Sequence, residues 1–218
     1  MNIKKSGVAF LLFSVIFLQA CNKNNFKLQE GDLLFSVGRS NSELQRAIQE
    51  STSVGKEISF SHVGIVKHEG DAVYVIEANS PEGVVKTFLN DFMNEAGHLN
   101  NRPLVAVGRL KPQYRYLIPN AMENAEDMIA SPYDFAFDEE NNAYYCTELV
   151  RFSYLDSLGN PIFQPLAMSF KNKETGETDP YWIKHFLGIE KEIPEGKPGT
   201  NPVDMAKSPI IKIVHLYY

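Results

Sequence analysis

The sequence predicts a single mixed α+β domain built round one antiparallel sheet, and three patterns carry that expectation. Two runs rich in Val and Ile, Ile58 to Lys67 and Val73 to Ala78, flank the turn residues His68-Glu69-Gly70-Asp71 and read as a hairpin. Helical segments with capping residues stand before and after the strand runs rather than alternating with each of them, which disfavours a parallel sheet. No internal repeat or low-complexity stretch interrupts the 218 residues, a length that suits one core.

Along the chain, Gly31 to Val37 reads as a short buried strand after a turn. Ser42 with Gln45 three residues on is a capping pattern, and Leu44, Ala47 and Ile48 repeat behind it at helical spacing. The polar loop Ser51 to Glu57 leads into the hairpin. Gly83 to Phe88 supplies a third adjoining strand, and Leu104 to Leu110 a fourth, bounded by Pro103 and Pro112. Residues 89–101 show no clear period. Asn120 with Glu123 caps a helix carrying Met122, Ala125, Met128 and Ile129 on one face, closed by Pro132. After the loop Tyr133 to Tyr144, Cys146 to Leu158 has helical period and stops at Gly159-Asn160-Pro161. Residues 161–208 read as irregular apart from a short helix near Tyr181 to Leu187, and Ile210 to Tyr217 as a final strand.

Composition narrows the function. A net charge of -6, with no basic stretch longer than Lys4-Lys5, argues against nucleic acid as a partner. Two cysteines are too few for a disulfide scaffold or a four-cysteine zinc site, and no pair of the five histidines has the spacing of a zinc helix motif. Neither a metal nor another cofactor is expected. Residues 1–20 have a charged start and an apolar run from Gly7 to Leu18, too short to span a bilayer, which is the build of a cleaved secretory signal. Leu18-Gln19-Ala20-Cys21 resembles the bacterial lipoprotein box, with Gln19 in place of the usual small residue. That resemblance implies that Cys21 is lipidated and anchors the protein in the cell envelope, outside the cytoplasm on its periplasmic or extracellular face; a monomer is expected. Residues 21–29 are then a tether and 30–218 the domain.

With Cys21 tied to lipid, Cys146 has no disulfide partner in an oxidising compartment, and an unpaired thiol there asks for a reason. It opens a helix, where unpaired N–H groups and the positive end of the dipole favour thiolate over thiol. His62 is the matching base. With the turn centred on Gly70-Asp71, His62 lies opposite Asn79 and diagonal to Glu77 on the same face of the hairpin. A carboxylate at that place fixes the tautomer and steadies an imidazolium. Glu77 also stands inside the apolar run Tyr74 to Ala78, where a buried charge needs a partner.

Four segments in order, Gly31-Asp32-Leu33-Leu34-Phe35, Ser61-His62-Val63-Gly64-Ile65, Ile76-Glu77-Ala78 and Tyr145-Cys146-Thr147-Glu148-Leu149-Val150, resemble the circularly permuted branch of the papain-like NlpC/P60 superfamily, the YiiX/YebB-like amidases. The likeness spans roughly residues 29–158, and the histidine and acid precede the cysteine as in the permuted branch. It implies Cys146 as nucleophile, His62 as base and Glu77 as the orienting acid, in a hydrolase acting on a peptide, acyl-amino-acid or lipid substrate. Unpermuted relatives carry an aspartate before the cysteine and a serine after it, which hold the amine of a stem peptide; here those positions are Tyr145 and Thr147. Asp134 or Glu148 is the candidate replacement for that carboxylate, and Tyr133, Phe135 and Phe137 are candidate walls of a groove. Two alternatives stay open: an acyltransferase or lipid esterase on the same fold, and a non-catalytic envelope-binding lipoprotein that keeps the scaffold.

Overall fold

The computed structural model describes residues 26–38, 42–53 and 58–218; the expected signal segment 1–20 and the expected lipidation site Cys21 lie outside the described residues. In chain order the strands are β1 (Leu33–Ser36), β2 (His62–Glu69), β3 (Ala72–Asn79), β4 (Gly83–Phe88), β5 (His98–Leu99), β6 (Arg102–Pro103), β7 (Val105–Leu110), β8 (Leu166–Ala167), β9 (Pro198–Gly199) and β10 (Ile211–Leu216). The helices are α1 (Glu43–Thr52), α2 (Leu89–Glu95), α3 (Ile118–Asp127), α4 (Cys146–Ser153), α5 (Pro180–Gly188) and α6 (Pro202–Ala206). Six of the strands form one sheet in the order β10-β7-β1-β2-β3-β4, with every neighbouring pair antiparallel. The α+β class expected from the sequence is the one observed.

Strand alternation sorts the sheet into two faces. Leu33, Phe35, Val63, Ile65, Ile76 and Ala106 pack with Leu149 and Val150 of α4 and with Ala121, Met122 and Ala125 of α3. Leu34, Val66, Val75, Val105 and Val107 pack on the opposite side with Phe92 of α2. A third cluster sits beside the sheet, where Ala47 of α1 meets Phe170, Trp182 and Phe186. The indole N–H of Trp182 donates to Ser51 Oγ at 3.1 Å, so α5 is tied back to α1 by a buried hydrogen bond.

Several boundaries differ from the sequence reading, each for a local reason. Helix α3 starts at Ile118, ahead of Asn120, because Pro119 has the fixed φ that suits a first helical turn. It ends at Asp127, well before Pro132; Ala130 then takes a positive φ, and its N–H and that of Val84 exchange bonds with the carbonyls of Val84 and Ser131. Gly83 at this junction has a φ of 88° and would press a Cβ onto the Ser131 carbonyl, so only glycine fits. Helix α4 stops at Ser153 because Tyr154 turns inward, its buried hydroxyl donating to the Gly31 carbonyl at 2.8 Å. Residues 89–95 form α2, in a stretch whose sequence shows no clear period. Residues 26–29 are docked rather than loose: the Phe26 ring stacks on His215 with centroids 4.3 Å apart, and Gln29 N–H donates to Asp32.

Asp32 fastens the start of β1 to β7. Its carboxylate is almost fully buried and accepts from Arg109 Nε at 2.6 Å and Nη2 at 2.7 Å, a bidentate pair. Removing the guanidinium strands a buried carboxylate, so Arg109→Ala should lower the unfolding free energy by about 3 kcal/mol in urea titrations. An unchanged midpoint would show that Asp32 finds another partner.

Candidate active site

Three elements converge at the end of the sheet where β2 begins. Helix α4 delivers Cys146 at its first position, behind an extended Tyr145, and the Glu148 carboxylate reaches back to accept from the Tyr145 N–H at 3.2 Å. The N–H of Cys146 itself lies at a helical position that no intrahelical carbonyl serves. The loop ahead of the helix is shaped by Asp134, which accepts from Ala136 N–H at 2.8 Å, Asp138 N–H at 2.6 Å and Asn141 Nδ2 at 2.7 Å. A short parallel bridge between Tyr133 and Tyr144 closes that loop at its base.

The hairpin delivers the other two groups. Its register pairs Gly64 with Glu77 and Glu69 with Ala72, which is the register expected from a turn at Gly70-Asp71. His62 and Glu77 are therefore diagonal neighbours, and His62 Nε2 meets Glu77 Oε2 at 2.6 Å. Gly64 is needed between them, since a Cβ there would run into Val75 and lie 3.3 Å from the Glu77 Cβ. The second ring nitrogen of His62 is left free of Glu77, and Cys146, which lines the same cavity, acts with Glu77 to favour the charged imidazole. The Phe92 ring of α2 backs the imidazole at a centroid distance of 5.9 Å.

Burial, the largest single influence on His62, pushes its pKa down, but hydrogen bonds to Cys146 and Glu77 and the charge on both outweigh it and raise it to about 10. Burial raises the Tyr133 hydroxyl well above the usual phenol range, reinforced by the charge at Cys146, so it stays protonated beside the sulfur. Burial likewise raises Glu148 to about 8, with Asp134 adding to the effect.

Of the residues singled out by sequence, Cys146, His62 and Glu77 come together. Tyr133 lines the cavity on each side of Cys146, and Tyr145 and Thr147 line one of them. The Tyr145 hydroxyl accepts from Thr200 N–H at 3.1 Å. Asp134 does not reach the site: it lines neither cavity and its oxygens are used by the loop. Glu148 is likewise buried in the helix cap, so neither acid replaces the missing aspartate. Phe137 lines the cavity with Tyr145, whereas Phe135 packs behind Tyr133. Sequence reasoning missed Phe92, although Leu89, Phe92, Met93 and Ala96 carry the helical spacing that would have found α2.

This architecture, a cysteine at a helix start facing a histidine and acid that precede it in the chain, is that of a permuted papain-like protein. The chain belongs to the permuted papain-like amidase family of YaeF and YiiX, family C92, whose model matches residues 27–215. It is 29% identical over 133 residues to the YiiX protein of Escherichia coli K12, an overlap that covers 60% of this chain and 59% of that relative's length. The crystal structure of metalloprotein yiiX from Escherichia coli O157:H7 shares the fold, with a TM-score of 0.70 at 22% identity over 88% of this chain and 98% of the other. Among the described residues here, no group of three or more His, Cys, Asp or Glu is placed to hold a metal.

Glu148 generates a stability prediction. An acid whose folded pKa is raised favours the folded state below its unfolded value, near 4.5, and that advantage is lost as pH rises through about 8. Thermal unfolding should show the melting temperature of the unaltered protein falling across that window. Glu148→Gln, which keeps an acceptor for the Tyr145 N–H, should flatten the fall; parallel curves would place the titration elsewhere.

Proposed function

We propose that this chain is a cysteine amidase in which Cys146 is the nucleophile, His62 the general base and acid, and Glu77 the group that orients the imidazole. The observation that carries the reading is the His62 ring held by Glu77 at 2.6 Å on Nε2 in a cavity that Cys146 also lines. A ring so placed passes a proton between sulfur and substrate without reorienting.

The thiolate attacks the amide carbon, and the oxyanion that forms faces the Cys146 N–H and the positive end of α4. Collapse breaks the carbon–nitrogen bond while His62 gives its proton to the departing amine. Water then attacks the thioester, His62 takes a proton from it, and the acid leaves with Cys146 and His62 restored. Glu77 never leaves the imidazole; among the described residues its Oε1 has no hydrogen-bond partner, so its interaction there is directed at Nε2. The same thioester can be released to an amine or an alcohol, which is the acyltransferase or esterase reading.

We further propose that the enzyme works at the cell envelope, held there by lipid on Cys21. The support is the sequence of residues 1–21 together with the docking of Phe26 on His215. Four residues, Asn22 to Asn25, separate the two points and reach at most about 17 Å counted from Cys21 to Phe26. Such a tether would keep the domain close to the membrane surface.

Cys146→Ala should abolish turnover of an amide substrate while leaving the unfolding curve in place; hydrolysis by that variant would remove the proposal. The alkaline limb of kcat/KM should follow loss of the His62 proton, near pH 10. Glu77→Gln should draw that limb toward neutrality by about one unit or more, because a neutral amide no longer stabilises the imidazolium. A limb that does not move would deny Glu77 its role.

A further inference from the structure

We infer that the edge of the sheet formed by β10 is a docking surface for an anionic phospholipid bilayer, and that it sets how the domain lies on the membrane. This rests on the reading of Cys21 as a membrane anchor given above and adds the surface that meets the lipid.

No long basic run occurs along the sequence, yet the fold assembles a basic margin from separate pieces. Without Lys4 and Lys5, the 21 Lys and Arg fall to 19, against 27 Asp and Glu. Eight of the 19 lie in residues 22–29, 102–117 and 207–218, three stretches that contain no Asp or Glu. The remaining 11 stand against all 27 acids. The charge of the protein is thus strongly divided, and its acidic total hides a cationic side.

The three stretches meet in space. β10 is the outermost strand of the sheet, next to β7, and Lys212 lies opposite Arg109. The Phe26 ring stacks on His215, Arg109 lies 5.4 Å from the centroid of the same ring, and Arg109 Nη2 donates to the Lys27 carbonyl at 3.2 Å. At the other end of the pair, Lys111 N–H donates to the Ile210 carbonyl at 2.9 Å. Arg109 is neutralised by Asp32. In contrast, Lys27, Arg102, Arg115, Lys207 and Lys212 are exposed, and among the described residues none of them pairs with a carboxylate.

Apolar side chains stand with these charges. Ile213 and Leu216 of β10 are exposed, as is Tyr116 beside Arg115. Cations interleaved with exposed aliphatic and aromatic groups suit the headgroup layer of an anionic bilayer, which offers phosphate to the first and acyl chain to the second. The chain leads to the same place. Phe26 is at most about 17 Å of chain from Cys21, so lipid on Cys21 would bring this margin to the membrane.

The chain from residue 21 with Cys21→Ser carries no lipid and isolates the surface. Co-sedimentation with phosphatidylcholine vesicles, with and without phosphatidylglycerol, measures its partitioning. Phosphatidylglycerol should raise partitioning at least about tenfold at low salt, and high salt should abolish the gain. Reversing Lys27, Lys207 and Lys212 together to Glu should remove it. Reversing Lys171, Lys184 and Lys191, which are exposed outside this margin and alter the net charge equally, should leave most of it. Leu216→Ser combined with Tyr116→Ser should weaken binding several-fold without changing its dependence on salt. Thermal melting checks that each variant is folded. Equal partitioning with and without phosphatidylglycerol, or equal loss from the two triple variants, would overturn the docking edge. Tighter binding to a short DNA duplex than to vesicles at equal phosphate would assign the surface to nucleic acid and overturn the lipid reading. Lipid on Cys21 is read separately, by mass spectrometry of the chain taken from cell membranes, so a missing anchor and a missing docking surface give different results.

Discussion

The chemistry proposed for this protein depends on the 2.6 Å contact between His62 and Glu77. Two ionisable groups, both largely buried, are stable there only as partners, since either one alone would carry the full cost of desolvation. Their meeting is a property of strand register. Gly64 opposite Glu77 puts the carboxylate diagonal to the imidazole, and a slip of one residue would send Glu77 to the opposite face of the sheet. The fold and the site are therefore coupled: β1, paired with β2 through Ser36 and His62, supports the same register from the other side.

The acids near the sulfur serve a different purpose. Glu148 and Asp134 lie close to Cys146 in sequence, and negative charge there would oppose a thiolate. Asp134 is enclosed by donors of its own loop, and burial raises Glu148 to about 8, so at neutral pH the cap of α4 is held mostly by a neutral acid. Tyr133, kept protonated by burial, adds a neutral hydroxyl rather than a second negative group.

The parts of this arrangement legible in the sequence are those set by short-range pattern. The turn at Gly70-Asp71 fixes the hairpin register, Ser42 caps α1 by accepting from Gln45 N–H, and β4 has the limits its residues suggest. From these the convergence of His62 and Glu77 follows by counting. Asp134 was not legible, because a carboxylate beside aromatic residues looks the same whether it meets a substrate or the N–H groups of its own loop. Residues 161–208 were not legible either. Their strands β8 and β9 are two residues long, and their course is set by distant contacts such as Trp182 on Ser51 and Met168 against Gly199. α2 is a different case: its helical spacing is present, but a run of seven residues between strands gives little room for a period to show.

That division of legibility matches a division of labour along the chain. The groups proposed to react lie between His62 and Cys146, on elements whose local pattern and pairing leave little freedom. One wall of the cavity lined by Cys146 and Tyr145 is supplied by the later segment, from Leu166 to Thr200, whose aromatic residues Phe170, Trp182 and Phe186 pack with Ala47 of α1 beside the sheet. Change in that wall leaves the strand register and the helix start untouched. A change of preference made through that wall would leave the proposed chemistry in place, and for that reason the four motifs speak to a reaction more than to what it acts on.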